Sequence, residues 1–394
     1  MAQADKLPEE QDHTAATPAR GRRWVTALGV LAGLLIIALA VLYFSRERLA
    51  RGLIEDQLAQ LDLPATYDIG EIGPERQTIE NLVIGDPAAP DLVVERVELE
   101  PSYGWGTPQI GRITLVRPRL FAGWKDGRPS FGSLDPLIYA ESDEPPGLPA
   151  LDIELVDGRA LLESPYGPVG FKVAGAGRLD GGFSGILAAA APSFAIQGCA
   201  ARGVTLYGRL AVTRGQPGFT GPLRFAGLRC DGGDYALGKG AFELAAEGDE
   251  DLAGGELSAV GQAANLSAAG QNARMASLTS DIAFRGGRLT ADYDAQLQGV
   301  SAAGATLDML TAKGVVRGSD GFDRLEMQAR VEGSGLRGAN GLERALGEVA
   351  SASEGTLAAP LIARLRSGLR RELRGGSFAL DAVVRRTGSV ISGV

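Results

Sequence analysis

The chain has 394 residues, with 56 Gly and 20 Pro and only 6% aromatic side chains, a composition that favours a sheet-rich protein with many turns over a compact enzyme. Its 39 basic and 48 acidic residues give a net charge of −9, which argues against a nucleic-acid-binding protein. The single histidine, His13, lies in a polar N-terminal tail, so most Ser-His, Cys-His and His-metal chemistries are excluded.

A membrane span is predicted near the N-terminus. Residues 24–44 read WVTALGVLAGLLIIALAVLYF without a charged residue, and as a helix they would be about 31 Å long, the thickness of a hydrocarbon core. Trp24 and Tyr43 stand at its ends, where amphipathic aromatic side chains anchor a span in the membrane interface. Arginines flank both sides, so charge alone does not give the orientation. Because only a short tail precedes the span, residues 1–23 are expected in the cytoplasm and the body outside it.

A cleaved signal peptide is the alternative for this segment. Ala38, Leu39 and Ala40 match the small-x-small cleavage pattern. Apolar residues continue through Phe44, however, which is longer than the apolar region of a signal peptide. The sequence therefore favours a single-pass anchor in a bacterial inner membrane, with the C-terminal part in the periplasm.

A helical stalk is predicted over residues 45–63. Leu49, Leu53, Leu58 and Leu61 recur at helical spacing, and Pro64 ends the pattern.

From residue 64 to residue 340 the dominant period is two. Apolar side chains alternate with polar ones in three segments, whose apolar members are Leu151, Ile153 and Leu155; Leu289, Ala291, Tyr293, Ala295 and Leu297; and Leu325, Met327, Ala329 and Val331. Such alternation is typical of antiparallel strands with one buried and one solvated face. The prediction is a mainly β protein with an elongated, curled antiparallel sheet.

The two cysteines, Cys199 and Cys230, lie beside strand-like segments. In an exported protein such a pair can form a disulfide between neighbouring strands or loops. Two unpaired small apolar side chains are the alternative. Either role is structural, because no base is available to activate a thiol.

Amphipathic helices are predicted over residues 341–375, a short one at 341–350 and a longer one at 357–373. The longer one has leucines four residues apart and arginines on its other sides, including Arg364, Arg366, Arg370 and Arg371. Its leucines can pack on the sheet, or its arginines can contact lipid headgroups. Both interpretations of this helix hold if the sheet itself carries lipid. Strand-like patterning resumes over residues 376–394.

No catalytic, cofactor-binding or metal-binding residues are predicted. Asp292 and Asp294 could hold a cation, but their spacing on one strand favours a solvated polar face. The glycines of VAGAGRLDGG at 173–182 lead into no helix, and no G-x-S-x-G elbow occurs. The sequence therefore does not predict an enzyme.

Two stretches carry a family resemblance. They are PATYDIGEIGPERQTIENLVIGDPAAPDLVVERVE at 64–98 and LPALDIELVDGRALLESPYGPVGFKVAGAGRLDGGFSG at 148–185. They resemble the AsmA-like superfamily of envelope proteins, and within it the YdbH group, relatives of TamB. The resemblance implies an inner-membrane anchor followed by a β-groove along which phospholipid moves between the inner and outer membranes. It also implies a periplasmic or outer-membrane protein partner. The members of that family are usually longer.

Two functions are consistent with these patterns. A lipid conduit would present its apolar strand faces to phospholipid tails, which need no specific site residue. An envelope scaffolding protein would instead bind other proteins through its strand edges, with the apolar faces closed as a dry core.

Overall fold

The structure is a computed structural model, and it describes residues 63–73, 76–102, 109–139, 147–196, 198–230, 235–302, 305–319, 323–337, 339–353, 359–360, 362–364, 366, 376–387 and 390–393. The prediction of a mainly β protein is confirmed. The strands of the first half are β1 (Ala65–Ile72), β2 (Gln77–Asp86), β3 (Ala89–Ser102), β4 (Gln109–Val116), β5 (Arg119–Lys125), β6 (Arg128–Ser130), β7 (Asp152–Leu162), β8 (Val169–Arg178) and β9 (Ser184–Ile196).

Those of the second half are β10 (Cys199–Thr213), β11 (Gln216–Phe225), β12 (Gly227–Cys230), β13 (Tyr235–Leu237), β14 (Gly240–Gly248), β15 (Gly255–Ala268), β16 (Gln271–Arg285), β17 (Arg288–Ala302), β18 (Ala305–Ser319), β19 (Arg324–Ser334), β20 (Phe378–Thr387) and β21 (Val390–Gly393). Most of them pair with the strand that precedes and the strand that follows in the sequence, and all belong to one sheet.

The expectation of a purely antiparallel sheet is wrong at one place. Strand β7 runs parallel to both β4 and β5, so the sheet is mixed. Between β5 and β7 the chain forms the β6 hairpin, a 3-10 turn at Gly132–Leu134 and the short helix α1 (Asp135–Ile138). This crossover brings the chain back in the same direction, as parallel neighbours require.

Helix α2 (Ala339–Ala352) corresponds to the shorter of the two helices expected near the C-terminal end. Its Leu346 is buried against Ala329, Val331 and Phe378, which are strand residues of β19 and β20. Of the longer expected helix, the described residues 359–360, 362–364 and 366 are helical, and Ile362 packs against the same cluster. The helical elements therefore cover one end of the apolar side of the sheet.

The predicted span at 24–44 and nearly all of the predicted stalk lie outside the described residues. Within the described part of the chain, no helix is both long and apolar enough to cross a bilayer.

In strands β15 to β18, the alternation of apolar and polar side chains shifts by one residue at a common level of the sheet. The residues at this level are Asn265, Arg274, Gly299 and Asp308, which the ladder of paired residues skips in each strand. Asn265 and Gly299 have positive φ angles of 53° and 62°. Consequently Leu307 and Leu310, although of opposite parity, both pack on the same apolar cluster. We call this level the crease.

Candidate functional site

One side of the sheet from β8 to β20 is predominantly apolar, and we call it the apolar face. Its extent follows from the strand register, because residues directly opposite each other on neighbouring strands share a face. One row of such partners crosses eleven strands and consists of Phe171, Ala189, Leu206, Leu223, Phe242, Gly261, Leu278, Ala295, Ala312, Val331 and Leu380. With strands about 4.8 Å apart, this row extends about 48 Å along the sheet.

A second row, four residues away along each strand, is equally apolar. It consists of Gly175, Gly185, Leu210, Phe219, Ala246, Leu257, Ile282, Ala291, Val316, Met327 and Val384. Sequence reasoning identified only Ala291, Ala295, Met327 and Val331 of these two rows. The other strands carry the same alternation, but their apolar positions are often Ala or Gly, which weakens the signal.

The residues predicted from the alternation of β17 and β19 share this face. Leu289, Ala291, Tyr293, Ala295 and Leu297 all lie on the same side of β17, and Leu325, Met327, Ala329 and Val331 occupy the matching side of β19 two strands away.

The third predicted segment lies in β7, where Leu155 is opposite Gly175 of the second row and Ile153 is opposite Gly177. Leu151 precedes β7 and is 39% exposed, so it falls at the end of the alternation and outside the strand.

The two polar side chains between these rows are neutral. Ser280 is buried and donates a hydrogen bond from its hydroxyl to the backbone carbonyl of Asp292, at 3.0 Å. It is directly opposite Tyr293, and burial raises the pKa of the Tyr293 phenol above its usual value. Both groups are therefore uncharged at neutral pH, and neither offers a charged partner to a ligand.

The opposite face carries the charges. Lys313 Nζ lies 2.8 Å from Asp294 Oδ2, and Arg385 Nε lies 3.0 Å from Glu326 Oε2. The hydrogen bond with Asp294 raises the pKa of Lys313, so this ammonium group stays charged. Asp292 is exposed on this face, beside Asp281 of the neighbouring strand. The acidic residues of β17 therefore belong to a solvated surface of ion pairs.

Open space lies over the apolar face beside β11, β14, β15 and β16. A cavity of about 540 Å³ is lined there by the second-row residues Leu210, Phe219, Leu257 and Ile282, with Phe284 at its edge. Phe284 is 37% exposed. The lining of the cavity is suited to hydrocarbon, because it consists mostly of aliphatic and aromatic side chains.

Cys199 and Cys230 are joined in a disulfide. They are direct partners across β10 and β12, at the end of β10 that lies away from the two apolar rows. The link fixes the register of a four-residue strand to its longer neighbour.

The arginines predicted to contact lipid headgroups or the helices are described only in part. The Arg366 guanidinium lies next to Gly347 of α2. Arg364 lines a cavity together with Lys313, Arg330 and Asp381. Arg370 and Arg371 lie outside the described residues. For Arg366, the geometry thus shows a contact between helical segments.

Across the residues with described positions, no group of three or more His, Cys, Asp or Glu side chains comes together as a metal site.

Comparison with known proteins gives one relationship. No curated protein and no solved structure matches the chain. Residues 34–389 match the YdbH-like family, described as intermembrane phospholipid transport protein YdbH. This match covers the second half of the predicted span, strands β1 to β20 and the helical segment, and it agrees with the resemblance drawn from residues 64–98 and 148–185. The chain therefore belongs to the YdbH-like family of intermembrane phospholipid transport proteins.

Proposed function

We propose that this chain is an inner-membrane-anchored periplasmic protein that carries phospholipid between the inner and outer membranes along its apolar face. The observation that supports this most directly is the row from Phe171 to Leu380, in which eleven successive strands contribute only apolar side chains or glycine. The sheet curls around the lipid tails as a groove, with residues 24–44 as the anchor and 1–23 in the cytoplasm.

This transfer depends on the burial of acyl chains against apolar side chains and needs no recognition of particular lipid atoms. Each methylene group of an acyl chain that leaves water for an apolar surface gains about 0.8 kcal/mol, and the gain has no preferred direction. A tail can therefore move from row to row at nearly constant free energy. No catalytic group, metal or cofactor takes part in such a step.

The test is lipid occupancy of the full-length protein, purified from a bacterial membrane and analysed by lipid extraction and mass spectrometry. Tyr293→Asp and Met327→Asp each place a carboxylate on the apolar face, where a charge without a partner is strongly unfavourable. We expect each variant to retain at least tenfold less phospholipid than the unmodified chain, a loss of about 1.4 kcal/mol or more.

Thr290→Asp is the matched control. It adds the same charge to β17, but on the opposite face and directly across from Arg317. Lipid recovery should stay unchanged in this variant. Equal recovery from Tyr293→Asp and Thr290→Asp, with both proteins folded by circular dichroism, would rule out the apolar face as the lipid-carrying surface.

A scaffolding function is the second candidate, and the edge of β20 favours it. Strand β21 pairs with β20 only along Val384–Thr387. Among the described residues, the outer edge of β20 from Phe378 to Val383 has no strand partner. A protein partner in the periplasm or outer membrane could add a strand at this edge. Protein without bound lipid, together with cross-linking from this edge to an envelope protein, would support this function instead.

A further inference from the structure

Aromatic side chains on the apolar face are repeatedly placed opposite glycine. The directly paired residues are Phe225 with Gly240, Phe242 with Gly261, Tyr293 with Gly314, and Phe378 with Gly333. Each pair joins neighbouring strands, and a fifth such pair, Phe284 with Gly255, joins β15 and β16.

In the first four pairs the aromatic side chain occupies the space above the glycine, whereas the atoms nearest to a Cβ added at Gly255 belong to the backbone of β14. A Cβ added to Gly240 would overlap three atoms of the Phe225 ring and no backbone atom among its nearest neighbours. Gly333 and the Phe378 ring show the same relation. At Gly261 an added Cβ would meet the Phe242 ring and the Ala241 carbonyl, and at Gly314 it would meet the Tyr293 hydroxyl and the Gln328 carbonyl.

The orientation of the rings gives a second, independent observation. Phe225 and Phe242 lie over different glycines on adjacent strands, yet their planes differ by only 18°, with centroids 6.3 Å apart. Two rings that each rest on a glycine backbone are expected to lie in nearly parallel planes. Covering a strand glycine with an aromatic ring from the neighbouring strand is also a known way to compensate for its missing side chain.

We propose that Gly240 and Gly261 are positioning residues for lipid, because each one lets an aromatic ring lie flat on the sheet and keeps the space above it free for an acyl chain. This inference rests on the proposed lipid-carrying function. Sheets that pack face to face are about 10 Å apart, so an upright ring would take up about half of the space between them. The ligand class that fits such a level surface is the hydrocarbon chain of a phospholipid.

The experiment uses the full chain in detergent micelles with a phosphatidylglycerol that carries a diazirine at the end of one acyl chain. After illumination, labelled peptides from β11 to β15 are quantified by mass spectrometry. We expect Gly240→Ala to lower this labelling at least threefold, because the Phe225 ring must leave the surface. The double variant Phe225→Leu/Gly240→Ala should label like the unmodified chain, since it has no ring to displace.

The control is Gly170→Ala in β8. Gly170 lies on the opposite face, and its added Cβ would be 3.9 Å from the nearest atom, the carbonyl oxygen of Ala190, an ordinary contact. Its labelling should not change.

The outcomes separate this inference from the function on which it rests. If the unmodified chain is not labelled on these strands, both fall. If it is labelled and folded Gly240→Ala is labelled equally, only the role of the glycines is overturned. Should Gly240→Ala fail to fold, the double variant decides. A folded, labelled double variant supports the proposal, whereas an unfolded one shows that the backbone itself requires glycine and overturns it.

Discussion

At the scale of single residues, the crease shows how one backbone conformation redirects a strand. Asn265 adopts a φ of 53° in the middle of β15. This left-handed conformation costs most residues about 1–2 kcal/mol, whereas Gly, and to a lesser degree Asn, adopt it more easily. The residues on either side keep their partners, Ala264 with Met275 and Leu266 with Ala273. The strand therefore keeps its register while its alternation shifts by one residue.

This conformation predicts an inverted effect of a strand-favouring substitution. Asn265→Val should lower the free energy of unfolding by about 1–2 kcal/mol, although valine is the better strand former. Asn265→Gly should be nearly neutral. Asn272→Val, the same change in the exposed ordinary part of β16, should be neutral or stabilising. Urea titration of the three variants is the measurement, and equal stability of the two valine variants would contradict this role of Asn265.

At the scale of elements, α2 is held by few contacts. Leu346 is 8% exposed and packs on Ala305, Leu307 and Phe378. Glu348, on the same helix, is exposed, and its carboxylate accepts a hydrogen bond from Gln271 at 3.5 Å. The attachment of the helix to the apolar face therefore depends mainly on hydrophobic burial.

Leu346→Ala should loosen this attachment. The loss of a buried leucine side chain costs at least about 2 kcal/mol, which corresponds to about a 30-fold larger population of the detached helix. Trypsin cleavage after Arg364 and Arg366 should accelerate accordingly, as followed by mass spectrometry. Glu348→Ala removes a single exposed hydrogen bond and should leave the rate within about twofold of the unmodified chain. Equal rates for the two variants would mean that the Leu346 contacts do not hold the helix.

The elements also show which predictions a pattern supports. The strands at 289–297 and 325–332 were predictable, because their alternation is strict and their apolar members are large. The parallel pairing of β7 was not, since it depends on how the crossover after β5 returns to the sheet. The phase shift at Gly299 was not predictable either. The strict period of two ends there, and the residue types that follow do not indicate that the strand continues.

At the scale of the whole molecule, the distribution of charge bears on which lipids can be carried. The two apolar rows from β8 to β20 contain no charged residue among the described positions, and the ion pairs lie on the other face. A headgroup therefore finds no fixed charge along these two rows, and selection there acts on the hydrocarbon chains.

We therefore expect occupancy to be insensitive to headgroup charge. Phosphatidylglycerol and phosphatidylcholine with identical acyl chains, offered at equal concentration in detergent, should be retained by the full chain within about threefold of each other, a difference below 1 kcal/mol. Raising the ionic strength should not change this ratio, because screening acts only on charges. A tenfold preference for the anionic lipid that disappears at high salt would show that a charged group contacts the headgroup.

The sequence by itself determined the class of the protein. Scarce aromatic side chains, frequent turn formers and period-two alternation leave a sheet with one apolar face as the solution that buries the apolar side chains of 289–297 and 325–332. The stretches 64–98 and 148–185 sufficed to identify the family. These are local properties, so the spacing of residue types along the chain is enough to recognise them.

The tertiary structure alone decided which strands are neighbours and therefore how far the apolar face extends. The row from Phe171 to Leu380 joins residues more than two hundred positions apart, and many of them are Ala or Gly, whose small side chains carry little signal in any single strand. The pairing of Phe225 with Gly240 depends on register across β11 and β14, which are separated by β12 and β13. Cross-strand register is set by backbone hydrogen bonding over long sequence distances, and the spacing of residues within one segment does not contain it.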